Sequence, residues 1–167
     1  MRRRRPEKRM ILPDPIFNDM LVAKFINNIM NNGKKSLAEK IFYTSIKKIE
    51  KSAKSNEGLE IFKKAINNVC PMLEVKSKRI GGATYQVPIE VPQNRKIALA
   101  MRWIIGSARG RSGTDMANCL AREFIEAFND QGSAIKKRGT PGKELQVTDQ
   151  FKRGRTNPGL SIDLSHL

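Results

Sequence analysis

The residue types best suited to catalysis are few in this sequence, and their spacing is weak. Glu123 and Glu126 stand three apart on a predicted helix, where paired carboxylates could act as general acid and general base. The single histidine, His166, is remote from them in the sequence. We therefore interpret both glutamates as solvated surface acids.

Phosphate loops and metal sites have equally little support. The glycines of residues 106–113 follow a helical pattern and lack the terminal Gly-Lys-Ser/Thr of a Walker loop, which indicates a flexible helix connector. Cys70 and Cys119 have no Cys-x-x-Cys spacing, which predicts buried free thiols rather than a zinc site or a disulfide framework. We expect no catalytic function, no cofactor and no metal ion.

Positive charge is abundant. The 167 residues include 32 Lys and Arg against 16 Asp and Glu, a formal net charge of +16. This balance favours a polyanionic partner, because each phosphate that a cation neutralises releases condensed counterions. The lysines of the second predicted helix are expected to be ordinary solvated surface. The candidate nucleic-acid contacts lie mainly in loops and at the chain ends: Arg2, Arg3, Arg4, Arg5, Lys8, Arg9, Lys34, Lys35, Lys76, Lys78, Arg79, Arg95, Lys96, Arg102, Arg109, Arg111, Lys136, Lys137 and Arg138.

The elements that must position these cations are mainly helical. Apolar residues recur at helical spacing, which predicts a bundle of five to six helices. Asp14 and Asn94 are expected as N-caps, and Ser36 with Glu39 matches a capping box. Trp103 is expected to pack between helices. The predicted helix starts are Asp14, Ser36, Ser55-Asn56, Asn94, Thr114-Asp115 and Ser133.

The hydrophobic period changes from 3.6 to 2 over about residues 72–91, which predicts a β-hairpin with its turn at Gly81-Gly82. Pro88 lacks an N–H donor and marks an edge strand. We therefore predict a two-stranded ribbon that projects from the helical body. An isolated ribbon is marginally stable, so its tip should order fully only against a partner.

One domain is expected over residues 1–138, with a basic arm at 1–12 and a basic, extended tail at 139–167. Ile11-Leu12 is followed at once by Pro13, so no signal-peptide core develops. No apolar run approaches the roughly 20 residues that cross a bilayer. We expect an intracellular protein that is not associated with a membrane.

The sequence leaves the type of nucleic acid open. A β-ribbon fits the grooves of B-DNA, whereas RNA binding would depend on phosphates, shallow grooves and irregular junctions. An architectural DNA-binding protein is therefore an alternative, and an RNA-modifying enzyme that uses the two glutamates is a more distant one.

Several segments resemble a known family. They are ILPDP at 11–15, GKKSLAE at 33–39, EVKSKRIGGATYQVP at 74–88 and ALAMRWI at 98–104. Over about residues 2–138 the chain closely resembles the small-subunit ribosomal protein S-seven family, in its bacterial and organellar form. After Arg138 it departs from the family, which usually continues a long last helix where this chain has Gly139-Thr140-Pro141-Gly142.

The resemblance implies a helical body with a β-ribbon arm and a place in the ribosome, in bacterial cytoplasm or within a mitochondrion or plastid. It implies primary binding to the 3′ major (head) domain of small-subunit rRNA, which nucleates head assembly, through regions that coincide with the cations named above. Neighbouring head and platform proteins, numbers nine, eleven, thirteen and nineteen, would be partners. Exit-site tRNA and the mRNA exit path would lie near Arg79, Gly81, Gly82, Thr84 and Tyr85.

Overall fold

The computed structural model describes residues 10–53, 57–80 and 83–138. The helices are α1 (Met20–Ile29), α2 (Lys35–Ala53), α3 (Gly58–Val69), α4 (Gln93–Arg109) and α5 (Met116–Phe128), followed by a short α6 at 133–138. The strands are β1 (Leu73–Ile80) and β2 (Ala83–Glu90). The predicted helical bundle with one two-stranded hairpin is confirmed. Most of the basic arm, the Gly81-Gly82 turn, the Ser55-Asn56 start and the tail after Arg138 lie outside the described residues.

The first helix begins five residues later than predicted. Asn18 adopts a left-handed conformation (φ 48°), and α1 starts after it with Asp19 as its N-cap. Asp14 instead caps a separate turn, because its Oδ2 accepts hydrogen bonds from the backbone N–H groups of Ile16 and Phe17 at 3.2 and 3.1 Å. The prediction of Asp14 as the N-cap of α1 was therefore wrong.

Contacts with other helices explain the roles of these two aspartates. The Tyr43 hydroxyl donates to Asp14 Oδ1 at 2.8 Å, which ties the segment before α1 to α2. Burial, followed by this hydrogen bond, raises the pKa of Tyr43. Lys63 on α3 lies 2.6 Å from Asp19. Partial burial raises the pKa of Asp19, but the hydrogen bonds from Lys63 and the Leu21 N–H outweigh it, so the pKa is lowered.

Two other predicted caps lie inside helices. Ser36 is the second residue of α2, so the capping box is wrong, and Asn94 is the second residue of α4, which follows Pro92 without a side-chain cap. Gly106 also lies within α4, so the connector to α5 begins only at Gly110. The predicted end of α3 before Pro71, the start of α5 after Asp115 and the short helix from Ser133 are confirmed.

Four fully buried phenylalanines hold the helices together. Phe25 of α1, Phe42 of α2, Phe62 of α3 and Phe124 of α5 meet with ring centroids 5.2–5.7 Å apart. Tilted and edge-to-face rings at this separation add about 0.5–1.5 kcal/mol per pair beyond the burial of their area. The hydrophobic spacing of each helix thus converges on one aromatic centre.

Gly58, the first residue of α3, allows α3 to approach α2 closely. A Cβ at this position would lie 2.8 Å from the Ile46 methyl carbon and 2.9 Å from Glu50 Cγ, and Ile46 is too buried to move away. We expect Gly58→Ala to lower the free energy of unfolding by about 1–3 kcal/mol through overpacking. Denaturant unfolding measures this loss.

Gly106→Ala is the matched control, because Gly106 is an exposed glycine in α4 with open space around its Cβ position. That change should stabilise the protein by about 0.5–1 kcal/mol, as expected for alanine in a helix. Equal effects of the two substitutions would contradict the close approach of α3 to α2.

The ribbon has two different faces. Residues paired across an antiparallel ladder share a face, and Lys78 pairs with Tyr85 while Lys76 pairs with Val87. We call the surface formed by these four residues the lysine–tyrosine face. Leu73, Val75 and Arg79 lie on the opposite face. Leu73, Tyr85 and Ile89 are each between 41% and 49% exposed, so the helical body leaves part of both ribbon faces uncovered.

Candidate nucleic-acid interface

The ribbon presents three exposed cations along β1. Lys76, Lys78 and Arg79 have no carboxylate within ion-pair distance in the described part of the chain. On the lysine–tyrosine face Lys78 pairs directly with the exposed Tyr85 and Lys76 is its diagonal neighbour, and Thr84 is exposed opposite Arg79. A row of ammonium groups beside an aromatic ring suits a phosphate backbone with an adjacent base. Gly81 and Gly82 lie outside the described residues.

Arg95 is exposed, but it is engaged. Its guanidinium donates two hydrogen bonds of 2.6 Å to Glu74 and so links the start of α4 to the base of the ribbon. The hydrogen bond from Arg95 lowers the pKa of Glu74. Lys96 beside it is half-buried.

The two cysteines differ in burial. Cys119 is buried and Cys70 is half-buried, so the prediction of buried free thiols is confirmed for Cys119 and only partly for Cys70. Burial raises the pKa of the Cys70 thiol.

The cations near the ends of α1 and α4 also differ in whether they make contacts within the protein. Arg109 donates to the carbonyl of Ile29 at 3.1 Å, and this satisfies an acceptor that the last turn of α1 leaves free. Lys34 and Lys35 are exposed in the neighbouring loop and helix start. The Lys35 ammonium lies 3.8 Å from Glu39, a contact that contributes little at a solvated surface.

Arg111 forms the most buried ionic contact described. Its Nε donates to Glu123 Oε1 at 2.8 Å, and its Nη2 donates to Glu126 Oε2 at 2.5 Å. Ser133 Oγ donates to the same Glu123 oxygen at 3.2 Å. The interpretation of Glu123 as a solvated acid was wrong, because its exposure is 0%. We call Arg111, Glu123, Glu126 and Ser133 the arginine clasp.

The backbone around Gly132 fits the arginine clasp. Gly132 has φ 96°, and a Cβ there would lie 2.9 Å from Glu126 Oε2. Glycine therefore allows the chain to turn from α5 into α6 closely enough for Ser133 to reach Glu123. The clasp joins the 110–115 connector, α5 and α6 across a short stretch of sequence.

The cations of α6 are exposed, and Arg138 connects this helix to other parts of the fold. Arg138 donates to the carbonyl of Asn68 in α3, with Asp130 at 3.9 Å. Lys136 and Lys137 lie on the same short helix. On α4, Arg102 is exposed, while Trp103 is half-buried against the core as predicted.

Most of the predicted contact residues in the described ranges fall into two groups, and Lys35, Lys96 and Lys136 belong to neither. Arg95, Arg109, Arg111 and Arg138 make hydrogen bonds or ion pairs that connect elements of the fold. Among the predicted contacts within these ranges, the exposed cations whose side chains have no such partner are Lys34, Lys76, Lys78, Arg79, Arg102 and Lys137. We call these six the free cations. The candidate contacts Arg2, Arg3, Arg4, Arg5, Lys8 and Arg9 lie outside the described residues.

Two further observations concern membrane-spanning helices and metal sites. No helix in the described ranges is long and apolar enough to cross a membrane. The same ranges contain no group of three histidine, cysteine, aspartate or glutamate side chains placed to hold a metal ion.

The fold and the free cations define a basic helical protein with a projecting β-ribbon, an architecture suited to structural binding of a polyanion. The family model described as ribosomal protein S7p/S5e matches residues 1–143. The chain therefore belongs to the ribosomal protein S7p/S5e family.

Individual relatives agree with the family match. The small ribosomal subunit protein uS7 of Petrotoga mobilis is 51% identical over 155 residues, which cover 93% of this chain and 99% of the relative. The Kosmotoga olearia protein of the same name is 54% identical over 138 residues, covering 83% and 88%. That of an Anaeromyxobacter strain is 51% identical over 154 residues, covering 92% and 98%.

These matches confirm the family resemblance found in the sequence. Membership of a family of structural ribosomal proteins also agrees with the expectation that the chain has no catalytic function. The alignment with the Petrotoga protein is long enough to include part of the segment after Arg138, where the sequence had indicated a departure.

Proposed function

We propose that this chain is an rRNA-binding structural component of the small ribosomal subunit, and that it binds the 3′ major (head) domain and nucleates assembly of the head. The observation that carries this proposal is the uncovered ribbon, whose lysine–tyrosine face places Lys76 and Lys78 beside Tyr85. The family match supports a ribosomal partner over a DNA duplex.

The proposal also assigns a role to the tip of the ribbon. Arg79, Thr84 and Tyr85, with Gly81 and Gly82 between them in sequence, would lie near exit-site tRNA and the mRNA exit path. The high exposure of the described three supports this, because the protein itself leaves them free to contact a neighbour. Proteins nine, eleven, thirteen and nineteen of the head and platform are the proposed protein neighbours.

The proposed phosphate contacts are the six free cations, together with the cations of residues 2–9. Each free cation can neutralise a phosphate without breaking a hydrogen bond or an ion pair among the described residues. The four engaged arginines would have to break a hydrogen bond or share one, so we assign them to the fold. Lys35, Lys96 and Lys136 remain proposed contacts at the edges of this surface.

The ribbon lysines provide the direct test. We expect Lys76→Ala with Lys78→Ala to weaken binding to a head-domain RNA fragment and to reduce the salt slope of log affinity by about 1.4–1.8, the amount for two phosphate contacts. The free energy of unfolding should change by less than about 1 kcal/mol, because exposed charges contribute little to stability. Filter binding at several salt concentrations and thermal unfolding measure both quantities.

Lys40→Ala with Lys47→Ala is the matched control, because it removes the same charge from exposed positions of α2. This control should retain nearly wild-type RNA affinity. Equal losses from the two double variants would mean that net charge, rather than the ribbon, determines binding. Equal affinity of the wild type for head RNA, a scrambled RNA and a DNA duplex would refute specific rRNA binding.

A further inference from the structure

A groove of about 540 Å³ is lined by α1, by α4 and by Met10 and Ile11 of the segment before α1, apart from the ribbon. Its apolar wall includes the buried Met101, the half-buried Ile97 and the exposed Met20. Lys24 of α1 also lines it, and none of its lining residues is acidic. The groove therefore combines an apolar surface with a positive charge.

Amide side chains complete the lining. Asn28 is already engaged, since its Nδ2 donates to the Lys24 carbonyl at 2.9 Å and lies 3.5 Å from Met101 Sδ. Asn27 and Asn94 are exposed, and their amides have no hydrogen-bond partner among the described residues. Each amide offers both a donor and an acceptor, so it can pair with the edge of a nucleobase.

We infer that this groove receives one unpaired nucleotide of the bound RNA. The base would pack its face on the exposed Met20 side chain and on Ile97, pair its edge with Asn27 or Asn94, and leave its phosphate near Lys24. The nucleotide must be unpaired, because a base in an A-form helix presents no free face to a protein. This inference rests on the proposed RNA-binding function and adds base recognition to it.

The charges around the groove favour RNA over a peptide as its occupant. Arg102, a free cation, lies one helical turn beyond Ala98, which is a lining residue of the groove on α4. Lys24 lines the groove on α1, Arg102 lies beyond the groove on α4, and no carboxylate is among the lining residues. A phosphate backbone that passes across the groove would neutralise both cations.

Ala98→Trp tests the groove by filling it. Ala98 is exposed, so the larger side chain should leave the unfolding temperature unchanged. We expect affinity for the head-domain RNA to fall about tenfold, because the nucleotide would lose its apolar contacts and its hydrogen bond in the groove. The salt slope should stay at the wild-type value, because no cation is removed. Asn67→Trp, at an exposed position of α3 outside the groove, should bind as the wild type does.

Site-specific crosslinking identifies the occupant. A benzophenone amino acid at Ala98, in the full chain bound to head RNA, should crosslink to a nucleotide that dimethyl sulfate modifies in free RNA. The wild type should protect that nucleotide, and Ala98→Trp should not. A crosslink to a base-paired nucleotide, to another protein or within the chain would overturn the inference.

The outcomes separate this inference from the proposed function. If Ala98→Trp binds as tightly as the wild type while the wild type still prefers head RNA, the groove assignment fails and the proposed function stands. If the wild type shows no preference for head RNA, the proposed function fails, and the groove assignment that rests on it fails as well.

Discussion

Arg111→Ala is expected to lower the free energy of unfolding by about 3–5 kcal/mol, the cost of leaving a buried charge without its partner. Arg111 compensates Glu123, which is fully buried, and holds Glu126 as well. The hydrogen bond to Glu126 raises the pKa of the Arg111 guanidinium further above its already high ordinary value. Its removal leaves two carboxylates close together with no cation between them.

Equilibrium unfolding in urea measures this loss, and Arg102→Ala is its matched control. Arg102 is an exposed arginine without an ionic partner among the described residues, so its removal should change stability by less than about 0.5 kcal/mol. Arg111→Ala with Glu123→Leu should regain part of the lost stability, because an apolar side chain in that position carries no charge. Equal stability of the two single arginine variants would show that the arginine clasp is not a structural contact.

The affinity for head-domain RNA is expected to fall at least about a thousandfold as salt rises from about 50 to 200 mM. If each of the six free cations contacts one phosphate, as proposed, they correspond to a slope of log affinity against log salt of roughly −4 to −5. The cations of residues 2–9 add to this number. Because this contribution depends on neutralised phosphates and not on sequence, binding to scrambled RNA should show a steep slope as well.

Fluorescence anisotropy over a salt series measures the slope for the wild type and the variants. Replacing all six free cations by alanine should reduce the slope by roughly 4 to 5, whereas an equal number of α2 and α3 surface lysines would change it little. A loss of less than about tenfold over the same salt range would mean that the interface depends mainly on uncharged contacts.

The sequence was sufficient for the architecture, because helix spacing and strand alternation are local patterns. The assignment of residues to the two faces of the ribbon could also have been predicted from the sequence. A two-residue connection between Ile80 and Ala83 determines every pair along the ladder, and that count places Leu73 and Tyr85 on opposite faces. The predicted alternation described each strand correctly, but the prediction did not pair the residues of β1 with those of β2.

The sequence alone could not predict which arginines are exposed and which make contacts within the fold. Arg102 and Arg111 look alike in the sequence, yet one is exposed and the other neutralises a buried carboxylate that lies across a connector containing Gly113 at φ 88°. The same limit applies to Asp14 and Asp19, since both can cap a helix. The contacts with Tyr43 and Lys63, which depend on the packing of α2 and α3, accompany their different roles.

The aromatic centre has a consequence for the chain as it is synthesised. Phe25, Phe42 and Phe62 come from its first 62 residues, but the ring that packs on two of them, Phe124, is translated much later. Until then the nascent protein carries three large apolar rings that lack this fourth contact, a condition that attracts chaperones and promotes aggregation. The aromatic centre can thus form completely only when α5 has been translated, and not when the first three helices are finished.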